Sequence, residues 1–124
     1  MDRLLPGKRV SFMKLMSCII RPEKLDVVTK ALDKLHVVGM TVTDVRGFGR
    51  QKGQVEHYRG GEYTIRFNSK VKVDMIVQDE DVDETMKAIE QAARTGKVGD
   101  GKIFVLEVDD ALRIRTGEKG TSAL

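Results

Sequence analysis

The chain has 124 residues, of which 40% are hydrophobic and 33% are charged, so it can form one folded domain and is too apolar for a disordered chain. Its net charge is +3, but basic and acidic residues are intermixed, and we expect no direct nucleic-acid binding. One cysteine excludes an internal disulfide, and no apolar run approaches the ~20 residues of a membrane span. A cytoplasmic protein without membrane insertion is the expectation.

Alternating and helical hydrophobic patterns follow one another from Met13 onward. Residues 1–12 show little pattern and are predicted to be a flexible N-terminal extension. The pattern predicts, in chain order, a strand at 13–20, a helix from 22 to 39, a strand at 40–46, strands at 62–67 and 70–77, a helix at 79–95, a strand at 103–108 and an extended piece at 112–116. The segment 50–61 has no usable periodicity and is predicted to be a long loop at the tip of a hairpin. Residues 117–124 are predicted to be a frayed tail.

The order of these elements is β-α-β-β-α-β. It predicts an α+β ferredoxin-like sandwich, an antiparallel sheet with both helices on one face. Alternate strand positions also carry Val, Ile and Met toward the other face, and this pattern favours contact with another subunit.

A glycine-containing loop, Thr95–Lys102, joins the second predicted helix to the last strand. Its glycines allow main-chain N–H groups to approach an anion, and its lysines supply positive charge. The spacing differs from that of a Walker A loop. A helix C-cap followed by a turn explains the same glycines, so phosphate binding and a purely structural turn both remain possible from these residues.

Arg113 and Arg115 lie two residues apart in the predicted extended piece, where they would point to the same side. Arginine suits bidentate phosphate contacts. Two solvated arginines near the end of the chain are the alternative. His36, His57 and Cys18 are too scattered in the predicted fold for a metal cluster, and we find no nucleophile–base arrangement.

Four segments together resemble the PII nitrogen-regulatory proteins: GFGRQKG at 47–53, YRGGEY at 58–63, TGKVGDGKIFV at 95–105 and RIRTGE at 113–118. The resemblance runs from Met13 to about Glu118. It implies a signalling domain at 13–116 that assembles as a homotrimer, with the T-loop of that family at about 49–66. It also implies a regulator rather than an enzyme. Nucleotide hydrolysis and metal binding by a similar trimeric fold are the alternatives from other classes.

The resemblance further implies that ATP or ADP binds between subunits. The matching positions are Thr41, Gly49, Arg50, Gln51, Ile76, Gly99, Asp100, Gly101, Lys102, Arg113 and Arg115. It implies that 2-oxoglutarate binds beside ATP through Mg²⁺, with Gln51 toward the metal, Lys70 toward a carboxylate, and the main chain of Lys52 and Gly53 nearby.

By the same resemblance, the T-loop selects protein partners such as ammonium channels or enzymes of nitrogen metabolism. Tyr63 matches the tyrosine that is nucleotidylylated in many members, and such a group would add charge and bulk. The chain departs from the family pattern at Gly61, Arg66, Asn68 and Ser69. A specialised sensor of adenine nucleotides and bicarbonate, linked to carbon assimilation, is therefore kept as the alternative function.

Overall fold

The computed structural model describes residues 12–37, 39–48, 54–57 and 64–124. Its strands are β1 (Met13–Ile20), β2 (Thr41–Gly47), β3 (Gln54–His57), β4 (Thr64–Gln78) and β5 (Lys102–Glu107), and its helices are α1 (Leu25–Lys34) and α2 (Val82–Ala93). The sheet order is β2-β4-β1-β5 with every pair antiparallel, and β3 pairs with the beginning of β4. The predicted ferredoxin-like fold is confirmed.

One face of the sheet packs against the two helices. Alternate β4 residues from Val71 to Val77 are buried there, together with Met16, Cys18 and Ile20 of β1. Val28 and Leu32 of α1 and Ile89 and Ala93 of α2 complete this core. With the partly buried Leu25 and Met86, the helices present core residues at steps of three and four, which is the apolar stripe seen in the sequence.

The strands between residues 54 and 78 differ from the predicted ones. β4 is one 15-residue strand, although two shorter strands separated at Asn68 and Ser69 are predicted. These two polar residues pair with Gly47 and Arg46 of β2, so ladder hydrogen bonds override their low strand propensity. The additional strand β3 lies in the segment predicted to be a loop, because it pairs with the start of β4.

Helix α1 ends earlier than predicted. Its last residue is Lys34, whereas the apolar pattern predicts an end at Gly39. His36 has φ +61°, a left-handed conformation that cannot continue a right-handed helix. The N–H groups of Leu35 and Val37 both donate to the carbonyl of Leu32, which closes the helix at this point.

The open face of the sheet, away from the helices, carries apolar side chains in solvent. Phe104 and Leu106 of β5 are about half exposed, at 47% and 49%. On β4, the carboxylate of Asp74 pairs through Oδ2 with Lys72 at 3.5 Å, while its Oδ1 is buried without a hydrogen-bond partner among the described residues. An apolar face of this kind favours burial against another chain.

The tail after β5 is folded rather than frayed. Leu112 and Lys119 form a β-bridge, residues Gly120–Ala123 form a 3₁₀ turn, and the N–H of Gly120 donates to the carbonyl of Ala111. The predicted extended piece at 112–116 is therefore a turn between the two sides of this bridge. The bridge exists because the chain reverses direction near Gly117, whose φ of +75° suits glycine.

Burial makes the Cys18 thiol unreactive. It raises the pKa of Cys18 to about 12, and the nearby Asp74 carboxylate adds to the increase. The thiolate, which is the reactive form, is therefore scarce at neutral pH.

In the part of the chain that the structure describes, no helix is long and apolar enough to cross a membrane.

Candidate functional site

The loop between α2 and β5 has a conformation that requires glycine at one position. Gly101 has φ +103°, and a Cβ built on it would lie 1.7 Å from the carbonyl oxygen of Ile19 on β1. Gly96 and Gly99 also have positive φ, at +87° and +103°. The loop therefore lies directly against the end of β1, and no side chain fits at Gly101.

The Asp100 carboxylate lies inside this loop and organises it. Its Oδ2 accepts hydrogen bonds from the N–H groups of Thr95 and Gly96, both at 2.8 Å, and its Oδ1 accepts one from the hydroxyl of Thr95. The hydrogen bond from the Thr95 hydroxyl is the main reason that the pKa of Asp100 lies well below its usual range. Asp100, predicted among the nucleotide-binding residues, uses its carboxylate to shape the loop.

The pH dependence of the loop follows from this pKa. Because the folded-state pKa is depressed, the stabilisation by ionised Asp100 is present above its ordinary value near 3.9 and is lost only as the pH falls through the lower folded value. We expect the amide NMR signal of Gly96 to keep its folded chemical shift on acidification to about pH 4. A midpoint at or above the ordinary aspartate pKa would contradict this expectation.

Arg21 contacts the glycine loop, and no pattern in the sequence predicts this contact. It follows the last residue of β1, and its guanidinium donates from Nε to Asp100 Oδ1 at 3.1 Å and from Nη2 to the carbonyl of Val98 at 2.9 Å. The only sequence signal at Arg21 is its place at the end of a strand before Pro22. That position gives no information about a loop 79 residues further along the chain.

Lys70 approaches the loop from β4. The side chain is buried, and its ammonium group donates to the carbonyl of Gly99. Burial lowers the pKa of Lys70, and the nearby Arg21 guanidinium lowers it further. Two cations therefore converge on the same side of the loop.

A cavity of about 720 Å³ opens beside the loop, and we call it the loop cavity. Its lining combines main chain of the loop with cationic and aromatic side chains: Phe48, Lys70, Lys97, residues 99–102 and Phe104. Asn68, one of the positions at which the sequence departs from the family pattern, also lines the loop cavity. The space has the size of a ligand site and carries the groups that hold anions.

A second cavity of about 630 Å³, the tail cavity, lies between the tail and the far ends of α1 and β4. Gly39, Ile76, Arg113 and Leu124 are among its lining residues. Arg113 Nη1 pairs with Glu118 Oε1 at 3.2 Å, and its Nη2 donates to the main-chain oxygen of Leu124 at 2.8 Å. The tail therefore supplies the acceptors for this guanidinium.

The predicted site residues do not all lie together in one protomer. Gly99, Asp100, Gly101, Lys102 and Lys70 lie at the loop cavity, whereas Ile76 and Arg113 lie at the tail cavity. Arg115 is exposed in the turn of the tail, so the expected alignment of Arg113 and Arg115 on one strand face is wrong. Thr41 begins β2, outside both cavities. Gly49, Arg50, Gln51, Lys52, Gly53 and Tyr63 lie outside the described residues.

A family model described as "Nitrogen regulatory protein P-II" matches residues 13–118. The chain belongs to this family. It is 57% identical over 112 residues to the nitrogen regulatory protein P-II of Microchaete diplosiphon, and 52% identical over 112 residues to the nitrogen regulatory protein GlnK of Escherichia coli strain K12. Each of these matches covers 90% of the chain and all of the relative.

A solved structure of Arabidopsis thaliana PII bound to citrate has the same fold. It superposes with a TM-score of 0.76 at 40% identity, covering 92% of the chain and 94% of the plant protein. The fold shared with the plant protein therefore agrees with the family assignment of the chain. The chain is thus a signalling regulator of the PII type and not an enzyme.

Proposed function

We propose that the chain is a trimeric sensor that binds ATP or ADP, together with 2-oxoglutarate, and regulates nitrogen-metabolism proteins through the segment at about 49–66. The observation that carries the proposal is the glycine loop, in which the main chain of Gly101 touches β1 so closely that no side chain fits. This loop ends at Lys102 and borders a cavity with further cations. Positive φ values and bare glycines are typical of loops that bind phosphate through N–H groups.

The division of the predicted residues between two cavities supports a site shared by two subunits. In one protomer, the loop cavity holds the glycine loop and the tail cavity holds Ile76 and Arg113. A ring of three protomers would bring the loop cavity of one subunit to the tail cavity of the next. The apolar open face of the sheet, with Phe104 and Leu106 half exposed, is the surface that such a ring would bury.

Lys70 is the residue that we assign to a carboxylate effector. Its buried ammonium faces the loop cavity, where a carboxylate could form a charge-assisted hydrogen bond. The related Arabidopsis protein is described as bound to citrate, which is also a carboxylate. Magnesium would be held through the ATP phosphates and Gln51. The described residues contain no group of three or more His, Cys, Asp or Glu side chains that could hold it alone.

The loop at about 49–66 is the element that we assign to partner binding, with Tyr63 as a modification site. A ligand changes such a loop only by binding its conformations with different affinity. Gln51 stands near the start of this segment in the sequence, so a ligand held by Gln51 would act on the segment directly. Ammonium channels and enzymes of nitrogen metabolism are the proposed partners, and a cytoplasmic location suits both.

The alternative function is a sensor of adenine nucleotides and bicarbonate. It is favoured by Asn68, a departure from the family pattern whose side chain lines the loop cavity beside Lys70. An amide at this position changes the polar surroundings of any anion bound there. The choice between a dicarboxylate and bicarbonate therefore depends on the same cavity.

Isothermal titration calorimetry on the full chain tests both functions. We expect ATP and ADP to bind competitively, and 2-oxoglutarate to give heat only when Mg-ATP is present. Bicarbonate is titrated under the same conditions. Heat from bicarbonate and none from 2-oxoglutarate would favour the alternative, and absence of ATP binding would refute both.

Sedimentation equilibrium tests the proposed trimer. The measured mass should be three times the 13.9 kDa of one chain.

A further inference from the structure

Arg21 connects the end of β1 to two acceptors within the glycine loop, Asp100 Oδ1 and the carbonyl of Val98. Its side chain is only 13% exposed. The hydrogen bond to Asp100 is partly buried, whereas the hydrogen bond to Val98 is exposed. The planar guanidinium holds two acceptors at a fixed spacing, which a flexible ammonium group does not do. Arg21 is therefore built to fix the loop in one conformation.

The carbonyl groups that Arg21 and Lys70 hold determine the direction in which the neighbouring N–H groups point. Arg21 holds the carbonyl of Val98, and Lys70 holds that of Gly99. In a trans peptide the C=O of one residue and the N–H of the next point in opposite directions. Turning these two carbonyls toward Arg21 and Lys70 therefore turns the N–H groups of Gly99 and Asp100 away from them. Successive N–H groups with a common direction form an anion-binding concavity.

We propose that Arg21 is a positioning residue for phosphate recognition. It sets the orientation of the Val98–Gly99 peptide and holds the Asp100 carboxylate, so that the loop is already shaped for a phosphate before the ligand arrives. Its Nε and Nη2 atoms both donate to the loop. In this role Arg21 acts through the loop rather than by touching the nucleotide. The identity of the ligand rests on the proposed function, whereas the effect on the loop does not.

The first test compares ligands with and without phosphates. In Arg21→Ala, we expect the affinity for ATP and ADP to fall about tenfold, while the affinity for adenosine stays within about twofold of the original value. Preorganisation of a binding group strengthens only the contacts that this group makes. An equal loss for adenosine and ATP would show a merely structural role and would refute the proposal.

The second test uses conservative and matched variants. Arg21→Lys keeps one donor group that can reach Asp100 or Val98, so we expect part of the lost ATP affinity to return. Lys30→Ala removes the same charge from an exposed position on α1 and should leave ATP affinity unchanged. Comparable losses in Lys30→Ala and Arg21→Ala would mean that net charge, rather than loop position, sets the affinity.

The third test needs no ligand and separates this proposal from the proposed function. Chains labelled with ¹⁵N-glycine report the amide signals of Gly96, Gly99 and Gly101 directly. In Arg21→Ala without nucleotide, these signals should shift or broaden, while that of Gly39 stays in place. Unchanged loop signals in a folded variant would refute the positioning role. Shifted signals in a chain that binds no ATP would refute the proposed ligand and retain the role of Arg21 in the loop.

Discussion

Gly101→Ala is expected to destabilise the fold by about 3 kcal/mol or more and to abolish measurable nucleotide binding. The added Cβ would lie 1.7 Å from the Ile19 carbonyl, and the φ of +103° disfavours any L side chain. Because the obstacle is main chain of a central strand, no side-chain rotation relieves the overlap. The loop must separate from β1, and its N–H groups lose their positions. Urea denaturation and calorimetry with ATP measure the two effects.

Gly96→Ala is the matched control for this substitution. Gly96 lies in the same loop with a φ of +87°, but a Cβ on it would meet no atom within 4 Å. We expect it to lose only about 1–2 kcal/mol, the conformational penalty of a left-handed residue. Equal losses in the two variants would show that the close approach to Ile19 does not matter.

Mixed trimers are expected to recover binding that two separate variants lose. Lys102→Ala and Arg113→Ala should each weaken ATP binding by about 1.5–3 kcal/mol, which is about 10- to 150-fold. If Lys102 of one subunit and Arg113 of the next share a site, a ring containing both variants has one interface with both wild-type residues. Co-expression with two affinity tags isolates such rings, and calorimetry should find one tight site in each.

Recovery is diagnostic of a site between subunits. If Lys102 and Arg113 acted within one protomer, every site of a mixed ring would lack one of them and the affinity would stay low. Glu118→Ala serves as a control, because it releases Arg113 from its ion pair with Glu118 but keeps the cation. Its ATP affinity should be retained, which would show that the loss in Arg113→Ala comes from the guanidinium and not from the tail.

The fold was predictable from the sequence because its signals are local. Period-two alternation marks the strands predicted at 40–46 and 70–77, and steps of three and four mark α1 and α2. Those patterns depend only on which face each element buries. The continuity of β4 through Asn68 and Ser69 was not predictable in this way, because it depends on pairing with β2.

The candidate site was predictable in part, for a related physical reason. The glycine loop can be recognised in the sequence because its glycines all lie within one short segment. Arg21 does not, because its partner Asp100 is 79 residues away and only the folded sheet brings them together. The strand assumed for Arg113 and Arg115 is a turn, since the bridge between Leu112 and Lys119 reverses the chain.

The length of β4 has a consequence for how ligands at different sites influence one another. Lys70 and Ile76 lie on this one strand, about 20 Å apart at the rise of an extended chain, and they border different cavities. In the proposed ring, each strand would therefore take part in two neighbouring sites. A ligand that displaces the strand at one end changes the shape of the next site. Occupancy of one site should thus alter the affinity of its neighbours, giving cooperative rather than independent binding.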